Sequence, residues 1–239
     1  MRRAALDTVT RLVGRLRRRQ RARLPEQGPV RLNLGSSLSV AEGWINIDGG
    51  LGALLAGWPR PLLRLAYRLS GSAAHVSEQQ FVDVLSRHRF VHHDLSYGIP
   101  FPDASAEAIF SSHFLEHISR ADAERLMREA HRVLAPGGTI RTCVPNLGWL
   151  VSEYQRGNKR HMVDGIFAPD GLGEYAKHRY MYDDDLLAEL LTEAGFTDVR
   201  TCRFREGRTP DLDVLDNREG SLVVEAVKPK PTQPGTATP

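Results

Sequence analysis

Seven short runs rich in apolar residues punctuate the chain, and helical patterns separate most of them. This alternation constrains the fold more than any other feature of the sequence. The runs are Val30 to Leu34, Trp44 to Asp48, Arg89 to His93, Ala106 to Ser111, Gly138 to Val144, Thr197 to Phe204 and Gly220 to Val227. Most end in a glycine or polar turn, as strands buried on both faces do. Ser77 with Gln80 opens a helix through a capping box, and Ser119 with Asp122 caps a second that ends at Pro136-Gly137-Gly138. Asp183 to Ala194 is a third helix, closed by Gly195 where a left-handed residue is needed. Alternating strand and helix implies an α/β domain with a mostly parallel sheet. Nothing helical is evident between Phe204 and Gly220, so the last strand is expected to return antiparallel to the one before it.

Charge divides the chain unequally. Residues 1–24 hold nine arginines and one acid, a charge of +8, which leaves −5 for the rest of a chain whose net charge is +3. Leu6, Val9, Leu12, Val13 and Leu16 recur there at helical spacing. An arginine-faced amphipathic helix suits an anionic membrane surface; the simpler alternative is an extension that docks on its own domain. Nucleic acid is not expected as a partner, because the remainder of the chain is acidic. No apolar run reaches the ~20 residues of a membrane span, and no signal-peptide core follows the charges. Two cysteines, Cys143 and Cys202, make neither a disulfide framework nor a four-cysteine zinc site and suit a reducing compartment. The expected location is cytoplasmic, with peripheral attachment at the inner membrane face through residues 1–24. The expected organisation is this extension, a domain over 25–228 with an insertion or lid at 49–88, and a disordered proline-rich tail at 229–239.

Ligands of open parallel sheets bind at the carboxyl ends of strands. The residues there are Asn33-Leu34-Gly35-Ser36-Ser37, Asp48, Asp94, and Ser111-Ser112-His113. A carboxylate ending the second strand is placed to accept ribose hydroxyls. No G-x-G-x-x-G loop is present, and the stretch from Gly35 to Trp44 is too short for a full crossover helix, so a dinucleotide is disfavoured. A nucleoside cofactor without phosphates meets no such objection. His113-Phe114-Leu115-Glu116-His117 also spells an inverted zinc-peptidase motif. That site needs a long motif helix, whereas Ser119 begins a new cap two residues later, so no metal is expected and Glu116 and His117 are read as bracing the turn.

Taken in order, several segments strongly resemble class I S-adenosylmethionine-dependent methyltransferases of the small type-11-like group. They are RLNLGSSLSVAEGWINID from Arg31, His93-Asp94-Leu95, Pro100-Phe101-Pro102-Asp103, Ser112 to His117, Arg132 to Gly138, and Val144-Pro145-Asn146-Leu147. The resemblance spans roughly residues 30 to 228 and implies a Rossmann-like seven-stranded sheet, helices on both faces, with the last strand antiparallel. It implies S-adenosylmethionine as cofactor, held by Asn33, Gly35, Ser36 and Ser37, by Asp48 at the ribose, by Asp94 and Leu95 at the adenine, and by Ser112 and His113. Ser36-Ser37 stands where cysteine-glycine is usual, so a side chain crowds the glycine turn, and Glu107 replaces a common aspartate. In that topology Cys143 and Cys202 lie two strands apart and stay free thiols.

The implied reaction methylates an oxygen or nitrogen acceptor, a small molecule or glycan. His113 is the first candidate base, with Tyr180 and His178 behind it. A non-catalytic scaffold on the same fold is the alternative. Pro61, Leu62, Leu65, Ala66 and Leu69, with Arg60, Arg64 and Arg68, spell a basic amphipathic helix near the ribose end, read as a lid first, a lipid contact second and packing third. Because the site begins at Asn33, residues 1–24 are expected to be separable from it.

Overall fold

A computed structural model describes residues 2–70, 76–167 and 177–231, with side chains from Thr8 onward and without those of Leu69 and Ser70. Seven strands form one sheet: β1 (Arg31–Leu34), β2 (Ile45–Asp48), β3 (Arg89–His92), β4 (Ala106–Ser112), β5 (Leu134–Val144), β6 (Thr197–Thr201) and β7 (Leu222–Val227). Their order is β3-β2-β1-β4-β5-β7-β6. β1 to β5 run parallel, and β7 is antiparallel to both β5 and β6, as a connection without a full crossover helix allows. The chain moves outward from β1 to β3 and restarts at β4 beside β1, which opens a crevice at the carboxyl ends of those two strands.

Helices cover both faces: α1 (Arg2–Arg17), α2 (Leu51–Leu55), α3 (Arg60–Ser70), α4 (Glu78–Arg87), α5 (Arg120–Val133), α6 (Leu147–Gln155), α7 (Lys159–Ile166), α8 (Asp184–Glu193) and α9 (Leu212–Leu215). The expected caps are present. Ser77 Oγ accepts from Gln80 N at 3.1 Å, Ser119 Oγ from Asp122 N at 3.2 Å, and Asp183 from Leu186 N at 2.9 Å. Gly195 closes α8 at φ +97°. The main core sets Leu32, Leu34, Ile47, Ile109, Ile140 and Val144 against the apolar faces of α5 and α8. A smaller one on the opposite face joins Trp44, Phe110, Cys143 and Leu215.

Several boundaries differ from the sequence reading. β5 begins at Leu134 rather than Gly138, because the chain pairs with Ala106 directly after α5 ends. β6 stops at Thr201, and α9 forms a single turn in the stretch read as helix-free. α6 and α7 were not evident either; glycines at 148 and 165 blur their period. The 49–88 segment packs rather than hovers. Leu63 of α3 is fully buried against Phe81, Val82 and Leu85 of α4, and Arg60 binds Asp83 at 2.7 Å while Arg64 and Arg68 face Glu78. Leu62 and Leu65 on the other side of α3 stay exposed, and residues 71–75 lie outside the described part. The tail expected to be disordered also lies outside it from residue 232 on.

The arginine-rich extension docks on the domain. Ala22 N donates to Pro100 O at 2.7 Å, Arg21 Nη1 to Phe101 O at 3.3 Å, and Arg89 to the carbonyl of Arg23. α1 turns Thr10 and Gly14 inward and leaves Val9, Leu12 and Leu16 exposed. No helix among the described residues is long and apolar enough to cross a membrane.

Behind the sheet, Arg141 is fully buried and saturated. It donates to Asp216, to Glu225 Oε1 at 3.0 Å, and to the carbonyls of Glu206 and Arg203. Burial alone would raise the Glu225 carboxyl, but amides of Arg208 and Thr209 and the Arg141 guanidinium hold it below its ordinary value.

Candidate functional site

Four strand-end segments meet at the crevice. The turn after β1 needs glycine at 35: its φ is +65°, and a Cβ there would stand 2.3 Å from Phe114 Cγ. Ser36 is buried, and its hydroxyl has no partner among the described residues. Ser37 sits at φ +47° and donates its amide to Asp48 Oδ2 at 2.9 Å, while Gly50 N donates to Oδ1 at 2.6 Å. Two amides therefore fix the Asp48 carboxylate, and each oxygen keeps a lone pair for a hydroxyl donor. Asn33 faces elsewhere. Its amide nitrogen donates to Ser39 O at 2.8 Å and to Asn46 Oδ1 at 3.0 Å, so it braces β1 against β2.

Asp94 caps a short 3-10 turn by accepting from Ser96 N at 3.0 Å, with Leu95 buried behind it. α1 lies directly on this residue: a Cβ on Gly14 would come within 3.2 Å of Asp94 Cβ. The extension thus packs directly against Asp94. A glycine within an otherwise continuous helical pattern was the available signal for such a close approach. Ser111, paired with Leu34, holds a second buried hydroxyl without a partner, and Ser112 ends β4 half-buried beside it.

A second group of side chains centres on the turn after β4. His113 takes a left-handed backbone at φ +51°, which is strained for a non-glycine residue. Its Nε2 lies 2.8 Å from Ser221 Oγ and its Nδ1 lies 3.2 Å from Glu116 Oε1. Both nitrogens therefore face protein groups, which leaves His113 a positioning residue in this arrangement. The Glu116 carbonyl accepts from Arg179 N at 2.6 Å and Tyr180 N at 3.3 Å, pinning the segment before α8 against the turn. His178 and Tyr180 thereby reach the same side as His113. The rings of His178 and His117 are 5.0 Å apart; the Tyr180 hydroxyl accepts from Arg120 Nη1 at 3.1 Å, and its ring meets Tyr182 edge-on at 5.1 Å. Burial holds His117 below the ordinary imidazole value, against the opposing charge of Glu116.

These residues fit a nucleoside cofactor without phosphates. The turn after β1 is held close by glycine at 35, the Asp48 carboxylate is oriented with acceptor capacity to spare, and the buried Ser36 and Ser111 hydroxyls lack partners among the described residues. Ser36 and Ser111 stand among the strand-end residues read from the sequence, whereas the packing of Phe114 against Gly35 has no signal in local spacing. Cys143 and Cys202 are free, as expected.

Residues 54–142 match the type-11 family described as a methyltransferase domain. A probable S-adenosylmethionine-dependent methyltransferase of Mycobacterium tuberculosis is 29% identical over 128 residues, 54% of this chain and 39% of that protein. The chain thus spans about two-fifths of the length of the curated relatives it matches. Among solved structures, a Methanosarcina mazei S-adenosylmethionine-dependent methyltransferase is 17% identical, covering 87% of this chain and 95% of that one at a TM-score of 0.48. A Haemonchus contortus phosphoethanolamine N-methyltransferase bound to S-adenosylhomocysteine is 15% identical, covering 93% and 53% at a TM-score of 0.45. The domain match over residues 54–142 and the curated relatives, on a sheet of order β3-β2-β1-β4-β5-β7-β6, make the chain similar to the class I S-adenosylmethionine-dependent methyltransferases of the type-11-like group.

Proposed function

We propose that the chain transfers a methyl group from S-adenosylmethionine to an oxygen or nitrogen nucleophile on a small molecule or glycoconjugate. The observation that carries this reading is the Asp48 carboxylate, oriented by two amides at the end of β2 beside a turn that Phe114 packing against it requires to be glycine. When bound, the cofactor supplies a methyl already activated on a sulfonium, so the protein has mainly to align the acceptor and exclude water. Asp48 would accept the ribose hydroxyls, Gly35 to Ser37 would lie along the methionine portion, and Asp94 with Leu95 would flank the adenine. Tyr180 and the histidine cluster would line the acceptor side, where a group that takes the acceptor proton helps without being obligatory. The saccharide preference rests on the sequence resemblance alone.

Calorimetry with S-adenosylhomocysteine tests the reading. Micromolar binding is expected, and Asp48→Ala should weaken it by about 1.5–3 kcal/mol, the loss of charge-assisted hydrogen bonds to a buried carboxylate. An unchanged affinity removes Asp48 from the ribose, and no binding by the parent chain favours a non-catalytic scaffold.

A second reading concerns the surface. Val9, Leu12 and Leu16 of α1 are exposed beside Arg11, Arg15, Arg18 and Arg19, an apolar stripe with basic flanks that suits an anionic bilayer. Sedimentation with anionic vesicles at low and high salt tests it. Salt-sensitive binding that disappears on deleting residues 2–24 supports membrane attachment; indifference to anionic vesicles at low salt leaves α1 a docked extension only.

A further inference from the structure

We infer that Glu116, His117 and His178 form a binding site for one divalent transition-metal cation, zinc above others. The starting point is a carboxylate without the partners its burial demands. Glu116 is 1% exposed, and neither carboxylate oxygen has a hydrogen-bond partner among the described residues. An ionised carboxylate at that depth is strongly disfavoured unless a cation or proton neutralises it. What surrounds it is a set of metal donors: one ligand atom each from Glu116, His117 and His178 lies within 4.8 Å of the others.

The histidine tautomers carry the argument further. Nδ1 of His117 faces Lys177 O at 3.3 Å, and Nδ1 of His178 faces Ile166 O at 3.1 Å. A carbonyl only accepts, so both rings hold their proton on Nδ1 and their lone pair on Nε2. A backbone carbonyl that fixes one nitrogen and frees the other for a metal is the usual support of ligating histidines. His117 Nε2 already stands 3.8 Å from Glu116 Oε1. His113 completes the setting. Ser221 Oγ donates to Arg218 O at 3.0 Å, so it accepts from His113 Nε2, and the lone pair on His113 Nδ1 then faces Glu116 Oε1 at 3.2 Å. Two acceptors so placed repel unless a cation at the carboxylate, or a proton between the two, supplies positive charge.

Two neutral imidazoles and one carboxylate suit a borderline cation such as Zn²⁺ better than calcium or magnesium, which prefer all-oxygen shells. Tetrahedral zinc with bonds of about 2.0–2.2 Å separates its ligand atoms by roughly 3.4 Å, so the cluster need contract only by an ångström or so. Three protein donors leave one coordination position for water or a ligand hydroxyl. This site stands independently of the methyl-transfer reading.

Equilibrium dialysis of the chelator-stripped full chain against Co²⁺ and Zn²⁺ tests the proposal. One equivalent of Co²⁺ with the intense visible bands of a tetrahedral site is expected, together with a rise in melting temperature on adding Zn²⁺. His178→Asn, at a half-exposed residue where folding survives, should weaken binding at least tenfold, and Glu116→Gln should abolish the tetrahedral spectrum. His161→Asn, outside the cluster, should bind as the parent does. Circular dichroism and metal-free melting confirm that each variant is folded. Substoichiometric uptake by the parent chain, or equal affinity in the parent, His178→Asn and Glu116→Gln, overturns the site.

Discussion

Two buried charge clusters sit on this sheet, and they are finished to different degrees. Around Arg141 every charge is answered: Asp216 and Glu225 take the guanidinium, the amide of Arg205 donates to Asp216, and those of Arg208 and Thr209 donate to Glu225. Around Glu116 no donor is aligned among the described residues: neither oxygen has a hydrogen-bond partner, His113 Nδ1 stands 3.2 Å from Oε1, and the His117 and His178 rings turn their Nδ1 protons to carbonyls. A saturated buried network holds elements together and has no capacity for a ligand, whereas an unsaturated one stores acceptor capacity for something else. The first cluster joins β5, β7 and the α9 region away from the crevice; the second sits at the carboxyl end of β4, where this fold class binds ligands.

Breaking the saturated cluster should produce the largest effect. Arg141→Met leaves Asp216 and Glu225 buried without their cation, a loss of about 3–5 kcal/mol. Urea unfolding monitored by circular dichroism should show a matching fall in midpoint or an unfolded chain. A loss below about 1 kcal/mol would mean that water relieves the two acids and that the clusters do not differ as described.

Glu116→Gln sharpens the comparison because its sign is opposite. In the metal-free chain the substitution removes an uncompensated charge and supplies an amide donor to the neighbouring lone pairs, so stability should rise by about 1 kcal/mol. The same urea titration reads it. Destabilisation of similar size would place Glu116 with the saturated cluster, its charge already met by a protonated His113.

A third contrast is in pH. Burial lowers His92, His93 and His131, with Arg17 adding to the effect at His92, Lys228 at His131 and His92 at His93; Asp48 and Asp94 oppose it near β3. A histidine whose folded value lies below its unfolded value of about 6.5 stabilises the fold above that pH. That stability is lost as pH falls through about 6.5 toward the folded value. The urea midpoint should drop between pH 7.5 and 5.5, and His93→Gln should flatten the drop. An unchanged profile in that variant removes His93 from the account. The Arg141 cluster, whose charges persist across this range, should contribute nothing to the slope.

The contrast also explains what the sequence made legible. Strand number, the antiparallel last strand and three helix caps followed from apolar period and capping residues, which are local signals. Gly35 and Asp48 followed from their place after strands. Arg141 gave no warning inside an apolar run, because its partners lie 75 and 84 residues away at Asp216 and Glu225. His113 is the first candidate base, yet its Nε2 meets Ser221, over a hundred residues distant, and its Nδ1 faces Glu116. His178 joins His117 only because Glu116's carbonyl pins the chain at Arg179 and Tyr180. Local period cannot report such pairings, and the docking of α1 on Asp94 was marked only by Gly14.

The smallest expected effect is at Ser37, where strain and ligand binding meet. Its φ of +47° is a conformation that glycine adopts freely and serine does not, so Ser37→Gly relieves strain worth up to about 1 kcal/mol. Glycine also adds entropy to the unfolded chain, which offsets part of the gain, so the net change in stability should stay within about 0.5 kcal/mol of zero. Its amide, which donates to Asp48, is retained, and the crevice loses a hydroxymethyl group beside the glycine turn. Affinity for S-adenosylhomocysteine should therefore hold or improve, measured by calorimetry beside Asp48→Ala. A tenfold loss would show that the Ser37 hydroxyl itself contacts the ligand, and the turn after β1 would then recognise its ligand through a side chain as well as through bare backbone.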